Sequence, residues 1–403
     1  MELDYKINNN LLHEKEKVVA DKAARLESLE HSLKEKEKYL KELEISTQDQ
    51  SHKWQEQYQQ QTKELELKAV ALKNIEDNIA YITSRNKGFL DRLNDPQHVL
   101  PEDHPLLQDQ QSDVIKMTHF TDRAQSKRLC LFAHFDVHGF IDPWVIHYLE
   151  EIKKHDFDIA LITTSPGLKE SSFKQLSPLC RSVIHRKNDG IDFGSWRCGL
   201  KNLGYLQDYD ELLIANDSVL GPFTTLDRIF EQVKRSPADL IGLTDTWQIH
   251  YHLQSYFLFF KKSLFKSETF HEFWQQVVNL NNKQEIIDRY ELGLTRFILT
   301  AGYQTEALFP FEEIREKYIA RLGTPEQYVE KFNTRGINPT IEFWDVLLQD
   351  AGFPFIKGVL LKSNPRNSTD ILFWPKLVSA DNEQAKQVVR YLQRTTNFAQ
   401  DLC

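Results

Sequence analysis

Cysteine is scarce and scattered in this chain: Cys130, Cys180, Cys198 and Cys403 are its four, and no CxxC pair occurs. That argues against a disulfide framework or a zinc knuckle and suits a reducing compartment. Long apolar runs are missing too. The longest near the centre, Tyr256-Phe257-Leu258-Phe259-Phe260, is far short of the ~20 residues that cross a bilayer, and Met1 to Asn10 lacks the shape of a signal peptide. The expected location is the cytoplasm. Positive charge is in deficit, 50 Lys and Arg against 59 Asp and Glu, for a formal net charge of −9. A general nucleic-acid binder is not expected on that balance, although a local basic groove for a phosphorylated ligand is compatible with it. At 403 residues the chain is too long for one ordinary core, so two or more structural units are expected.

The first pattern present is a heptad. Leu12, Val19, Leu26, Leu33 and Leu40 recur every seven residues, continue through Thr47, Trp54, Gln61 and Lys68, and return to apolar side chains at Ile75, Ile82 and Phe89. Leu29 and Leu43 add a partner position three residues on, whereas Tyr58, Leu65, Leu72 and Ile79 add one four residues on. The register shifts at the eleven-residue step from Leu43 to Trp54, across the polar Ser46 to Ser51, as a stutter does. Mixed charges such as Lys34-Glu35-Lys36-Glu37-Lys38 solvate the outer face. A lone helix cannot bury such a stripe, so residues 1–90 are expected to form a coiled coil with copies of the same chain. The alternative is one charged helix folded back on the rest. Residues 91–127, with Pro96, Pro101 and Pro105, read as a linker holding at most one short helix, and residues 128–403 as a globular domain.

Within that domain the pattern alternates. Leu129 to Ala133, Asp158 to Thr163, Ser182 to Ile184 and Glu211 to Ala215 read as buried strands, with helices predicted over Pro143 to Lys154, Phe173 to Leu179, Gly194 to Leu203 and Thr225 to Lys234. Further strands are expected at Asp239 to Leu243 and Ser255 to Phe260, and further helices at Phe270 to Leu280 and Leu292 to Thr300. The fold class expected is α/β with a mainly parallel sheet covered on both faces. Polar residues gather where successive strands end: His134, Asp136, His138 and Gly139; then Thr163, Thr164 and Ser165; then Asn188, Asp189, Gly190 and Asp192; then Asn216, Asp217 and Ser218. Each group alone is ordinary turn chemistry, and Trp196 reads as core. Four in order along one sheet edge outline a cleft.

Five stretches, FAHFDVHGFID, RKNDGIDFGSWRCGL, YDELLIANDSVLGPF, HLQSYFLFF and NPTIEFWDVLLQDAGFPFIKGVLLKSNP, together resemble the rhamnan synthesis protein F family of bacterial polysaccharide glycosyltransferases, over roughly Leu129 to Pro365. The resemblance implies a GT-A-like domain that takes a deoxyhexose or hexose from a nucleotide-sugar donor and extends a surface polysaccharide or O-antigen on the cytoplasmic side of the membrane. A looser likeness to the large inverting GT-A family assigns roles. There, a strand ends in Asp-x-Asp, and a carboxylate pair opens a helix that closes on Gly-Tyr about eleven residues later. Here Glu291 stands at that offset from Gly302-Tyr303, which implies the base that deprotonates the acceptor hydroxyl; otherwise a Glu at a helix start is a dipole partner. Asp245, ending another strand, is the rival base.

Asn216, Asp217 and Ser218 match Asp-x-Asp with both outer carboxylates neutral, so only Asp217 keeps a charge for Mg²⁺ or Mn²⁺. A metal-free version would draw cations from side chains, for which Arg186, Lys187 and Arg197 are placed by the loop. Asn188, Gly190, Asp192 and Asp136 are the remaining donor-binding candidates, each alternatively a turn or cap. His250, His252, Gln254 and Ser255 are candidates for the acceptor or sugar pocket. Implied partners are a nucleotide sugar, a lipid-linked glycan acceptor and further copies of the chain, with a peripheral membrane contact through Lys261, Lys262 and Lys266. Two other functions stay open: an inactive scaffold that assembles polysaccharide enzymes, and a metal-dependent hydrolase using His134-Phe135-Asp136-Val137-His138 with His250-Tyr251-His252.

Overall fold

A computed structural model describes residues 21–22, 25–43, 45–48, 50, 52–65, 68–69, 113–121, 126–323, 337–365, 369–378 and 382–396. The chain divides into two compact units, Met1–Ile75 and Glu76–Cys403. The first is helical wherever it is described. Its heptad side chains Leu26, Leu29, Leu33, Leu40, Leu43, Trp54, Tyr58 and Leu65 are all exposed in the single chain. Leu12, Val19, Leu72, Ile75, Ile79, Ile82 and Phe89 lie outside the described residues, as do Pro96, Pro101 and Pro105.

The second unit is built on strands β1 (Val114–His119), β2 (Arg128–His134), β3 (Phe157–Thr163), β4 (Cys180–Arg186), β5 (Glu211–Asn216), β6 (Val219–Leu220), β7 (Leu240–Thr246), β8 (His252–Leu253), β9 (Phe257–Phe260), β10 (Thr305–Phe309) and β11 (Ile356–Lys357). The main sheet runs β1-β4-β3-β2-β5-β9-β7-β10, with β8 on β7, while β6 and β11 form a ribbon of their own. Alternate residues of β2 point to opposite faces. Cys130 and Phe132 join a core with Trp144, Tyr148 and Leu149 of the helix Pro143–Lys153, whereas Leu129, Leu131 and Ala133 join one with Phe193 and Trp196 of the helix Ile191–Asn202. Both faces of the sheet are therefore covered, which is why its strands read as continuous apolar runs.

The sheet is mixed rather than mainly parallel. β4, β3, β2 and β5 are parallel neighbours, but β9 lies antiparallel between β5 and β7, and β1 is antiparallel on the β4 edge. The physical reason is connection length. β9 follows β7 through only β8 and its turns, too short a path for the crossover that a parallel pair requires. β1 falls inside the segment read as linker, because a short edge strand with mixed polarity carries no clean alternation.

Candidate functional site

From β2 the chain winds outward through β3 and β4, then returns with β5 on the other side of β2, placing Ala133 opposite Asn216. This reversal makes the carboxyl ends of β2 and β5 a switch point, the position where open α/β sheets form a ligand crevice. Asn216 is buried at its edge. Its Oδ1 accepts from the Ser218 amide at 3.1 Å and the Ser218 hydroxyl at 2.6 Å, and its Nδ2 donates to Asp192 Oδ2 at 2.9 Å. The triplet is thus a turn that also fixes the carboxylate of Asp192, in the first turn of the helix Ile191–Asn202. Asp217 Oδ2 accepts from the Phe135 amide at 2.9 Å, tying the same turn to the loop after β2.

A late segment enters beside this turn. β11 pairs antiparallel with β6, setting Lys357 opposite Val219, and the Gly358 amide donates to the Ser218 carbonyl at 2.8 Å. A Cβ at position 358 would stand only 3.0 Å from that carbonyl oxygen, so glycine permits the approach. The Lys357 ammonium lies 3.3 Å from Ser218 Oγ and 4.6 Å from the Tyr256 ring centroid. Burial lowers its pKa, against the attraction of Glu291 and Asp192. Glu291 ends the π-helical turn Ile287–Glu291 ahead of the helix Leu292–Thr300, a local geometry that recurs at functional sites. Its Oε1 accepts from both the amide and the hydroxyl of Ser255, each at 3.1 Å. Lys357 links Glu291 to the 216–218 turn, standing against Ser218 of the turn and in the field of Glu291.

The electrostatics there are unusual. Burial, reinforced by the charge of Asp217, pushes Asp192 up to about 7 against the pull of Lys357. Burial likewise pushes Asp217 up to about 6, offset by the Phe135 amide and by Lys362. Beyond Asp217, Asp136 accepts from the amides of His138 at 2.9 Å and Phe140 at 3.0 Å and pairs with Arg394 at 2.7 Å. Arg394 also pairs with Asp142 at 2.6 Å, so the helix Glu383–Thr395 is fastened to the loop after β2. Burial alone would raise the Asp136 carboxyl, yet Arg394 and the two amides hold it below its usual range.

Residues 159–403 match the family described as rhamnan synthesis protein F. The chain belongs to that family. The Vibrio anguillarum protein named virulence protein VirA is 26% identical over 273 residues, 63% of this chain and 86% of its own. The crystal structure of the glycosyltransferase GlyE of Streptococcus pneumoniae is similar at 12% identity and a TM-score of 0.35, over 67% of this chain and 64% of that one. The mannosyltransferase PcManGT of Pyrobaculum calidifontis, solved with GDP-Man and Mn²⁺, is similar at 10% identity and a TM-score of 0.32, over 82% and 88%. These two are likenesses of outline only.

Not every expected residue reaches the crevice of this rhamnan synthesis protein F relative. Asp245 Oδ1 accepts from the Phe311 amide at 2.6 Å, so it satisfies a backbone N–H at the start of the helix Phe311–Leu322. Gln254 is buried, accepting from Thr244 Oγ1 at 2.7 Å and donating to Asn338 at 3.3 Å. Burial lowers the pKa of His252 against the charge of Glu291, while His250 faces the Tyr251 carbonyl. Asn188 is exposed, and Gly190 packs against Asn279. Arg197 lines a separate cavity of about 600 Å³ with Phe265, Phe270 and Trp274.

Arg186 is not a donor cation. It is fully buried, pairs with Asp113 at 2.5 Å and donates to Ser195 Oγ at 3.2 Å, because its strand faces the packed interior there. The expected loop cations are thus replaced by Lys357, Lys362 and Arg394 from the end of the chain. Sequence reading passed over all three; only Lys357 and Lys362 carried a signal, as the charged positions of the stretch GFPFIKGVLLKSNP. Thr163 and Ser165 support the crevice rather than line it, through Thr163 Oγ1 to His134 Nδ1 at 3.1 Å and Ser165 Oγ to the Asp136 amide at 2.9 Å. Trp196 is core, as expected.

A divalent cation does not fit the residues present. Asn216 is committed to Ser218 and Asp192, and one oxygen of Asp217 to a backbone amide. Among the described residues no group of three or more His, Cys, Asp or Glu is disposed to hold a metal ion, and the two histidine clusters do not form one. No helix among the described residues is long and apolar enough to cross a membrane. Lys262 pairs with Asp210 at 3.3 Å, Lys261 donates to the Ser236 carbonyl, and Lys266 reaches the carbonyls of Leu206 and Gln207, which suits a solvated lysine face.

Proposed function

We propose that this protein is an inverting glycosyltransferase that moves a deoxyhexose or hexose from a nucleotide sugar to a lipid-linked glycan, in the assembly of a bacterial surface polysaccharide such as O-antigen. Family membership supports the substrate class. The observation that carries the mechanism is Glu291, held by Ser255 at the crevice that also contains Asp192 and the 216–218 turn. The acceptor hydroxyl attacks the anomeric carbon from the face opposite the leaving group and its proton passes to Glu291 Oε2, while the bond from that carbon to the diphosphate oxygen breaks and its electron pair leaves with the diphosphate. Ser255 fixes the carboxylate so that one oxygen stays free for the proton. Asp192, Asp217 and Asp136 with Asn216 and Ser218 form the donor side in this reading, and His252 borders the acceptor side.

The exposed stripe of Leu26, Leu33 and Leu40 supports self-association of the N-terminal helix as a coiled coil. Work at the cytoplasmic face, with a peripheral membrane contact, belongs to the same proposal. The test is release of nucleoside diphosphate from a panel of nucleotide sugars given a lipid-linked acceptor. Glu291→Gln is expected to lower kcat by about 10²–10⁴-fold, the usual contribution of a positioned base, with donor affinity unchanged. Inversion is read from the anomeric configuration of the product. Full activity of Glu291→Gln, or turnover with no nucleotide sugar in the panel, overturns the reading.

A further inference from the structure

We propose that the ammonium groups of Lys357 and Lys362 bind the donor diphosphate directly, so that transfer needs no divalent metal. This rests on the glycosyltransferase reading above. When the bond to the sugar breaks, the electron pair moves onto the diphosphate, and the developing charge must meet fixed positive charge close by. Of the positions that would hold a metal, the outer two are neutral, with Asn216 Oδ1 serving Ser218 and Asn216 Nδ2 serving Asp192, and one oxygen of Asp217 accepts from the Phe135 amide.

Lys357 has what such a site requires. Its ammonium makes no ion pair among the described residues, although it lies in the field of Glu291 and Asp192. Among the described residues its only hydrogen bond is the long one to Ser218 Oγ at 3.3 Å, and the Tyr256 ring covers a second side. Three N–H donors with one weak acceptor leave two for a ligand. Lys362 follows on the helix Gly358–Ser363, where its Nζ stands 4.9 Å from the Tyr391 ring centroid and in the field of Asp217, Asp136 and Asp142. One segment therefore carries both ammonium groups, the first against Ser218 and the second beside Tyr391 in the field of Asp217. The alternatives nearby are occupied. Arg394 is shared between Asp136 and Asp142, and Arg186 is bolted to Asp113.

The experiment is calorimetric titration of the full-length protein with dTDP, UDP and GDP, once in EDTA and once in Mn²⁺. One nucleoside diphosphate is expected to bind in EDTA with an affinity within about threefold of that in Mn²⁺. A charge-assisted contact of ordinary strength predicts that Lys357→Met weakens that binding by about tenfold or more, with Lys357→Arg recovering most of it. Lys362→Met, at an exposed position where folding is not at issue, should weaken it severalfold. Binding only in Mn²⁺, or unchanged affinity in both methionine variants, overturns the inference while leaving the glycosyltransferase reading standing. If no nucleoside diphosphate binds under either condition, both fall.

Discussion

Asp192 shows how a single side chain records its surroundings. Its acidity is pushed from 3.8 up to about 7 by burial, then by the charge of Asp217, and Asp217 is itself pushed up to about 6. The folded protein therefore keeps protons on these groups that the unfolded chain has lost. Their stabilising contribution is complete below the unfolded pKa, about pH 4, and is lost as pH rises through the folded values. Asp192→Asn keeps an acceptor for Asn216 and removes the titration. Urea unfolding at pH 5 and pH 8 should show the wild type losing more stability on the alkaline side than the variant does; parallel behaviour would contradict the assignment. Asp192 and the 216–218 turn were legible as candidates because strand ends and turns are visible in one dimension, whereas Glu291 was marked only by its offset from Gly302-Tyr303. Arg394 was not legible, and Lys357 was visible only as a charge within a resembling stretch, since nothing local shows that a lysine in a two-residue strand, or an arginine on a polar helix face, reaches a turn at residues 216–218 far earlier in the chain.

Among the elements, the start of the helix Ile191–Asn202 is tightly constrained. Gly190 precedes it at φ 74°, a left-handed conformation, and a Cβ there would stand 2.8 Å from Asn279 Oδ1 and 2.9 Å from Asn279 Cα. Gly190→Ala is expected to cost about 1–3 kcal/mol through strain and displacement of Asn279, read from the shift of the urea midpoint at unchanged slope. An unshifted midpoint would mean that the turn relaxes freely. Periodicity located the helix Leu292–Thr300 to the residue, because its apolar spacing is regular. The π-helical turn before it was invisible: one extra residue per turn leaves no compositional trace. The helix read over Phe270 to Leu280 instead ends at Gln276, where Val277 is extended and buried, since an apolar run alone does not distinguish a helical turn from packed extended chain.

At the scale of the whole molecule two units of different character share one chain. The N-terminal helix leaves Leu26, Leu33 and Leu40 about as exposed as its charged side chains, a state that a stable helix avoids by pairing. Full-length protein is expected to sediment as a dimer or trimer. Replacing Leu26, Leu33 and Leu40 together by Glu should yield monomers, with the far-ultraviolet signal of the globular unit retained; a wild type that is monomeric at every concentration would remove the coiled coil.

The amino-acid order by itself determined which segments are buried and which chemistry stands at their ends, because apolar period and turn residues act over a few positions. It also carried the family, through five short stretches in order. Only the tertiary structure decided the direction of β9, the retirement of Arg186 and Asp245 to structural duty, and the arrival of Lys357 beside Ser218. Those depend on pairing between distant segments, where a contact is chosen by the packing of the entire sheet rather than by the residues that make it.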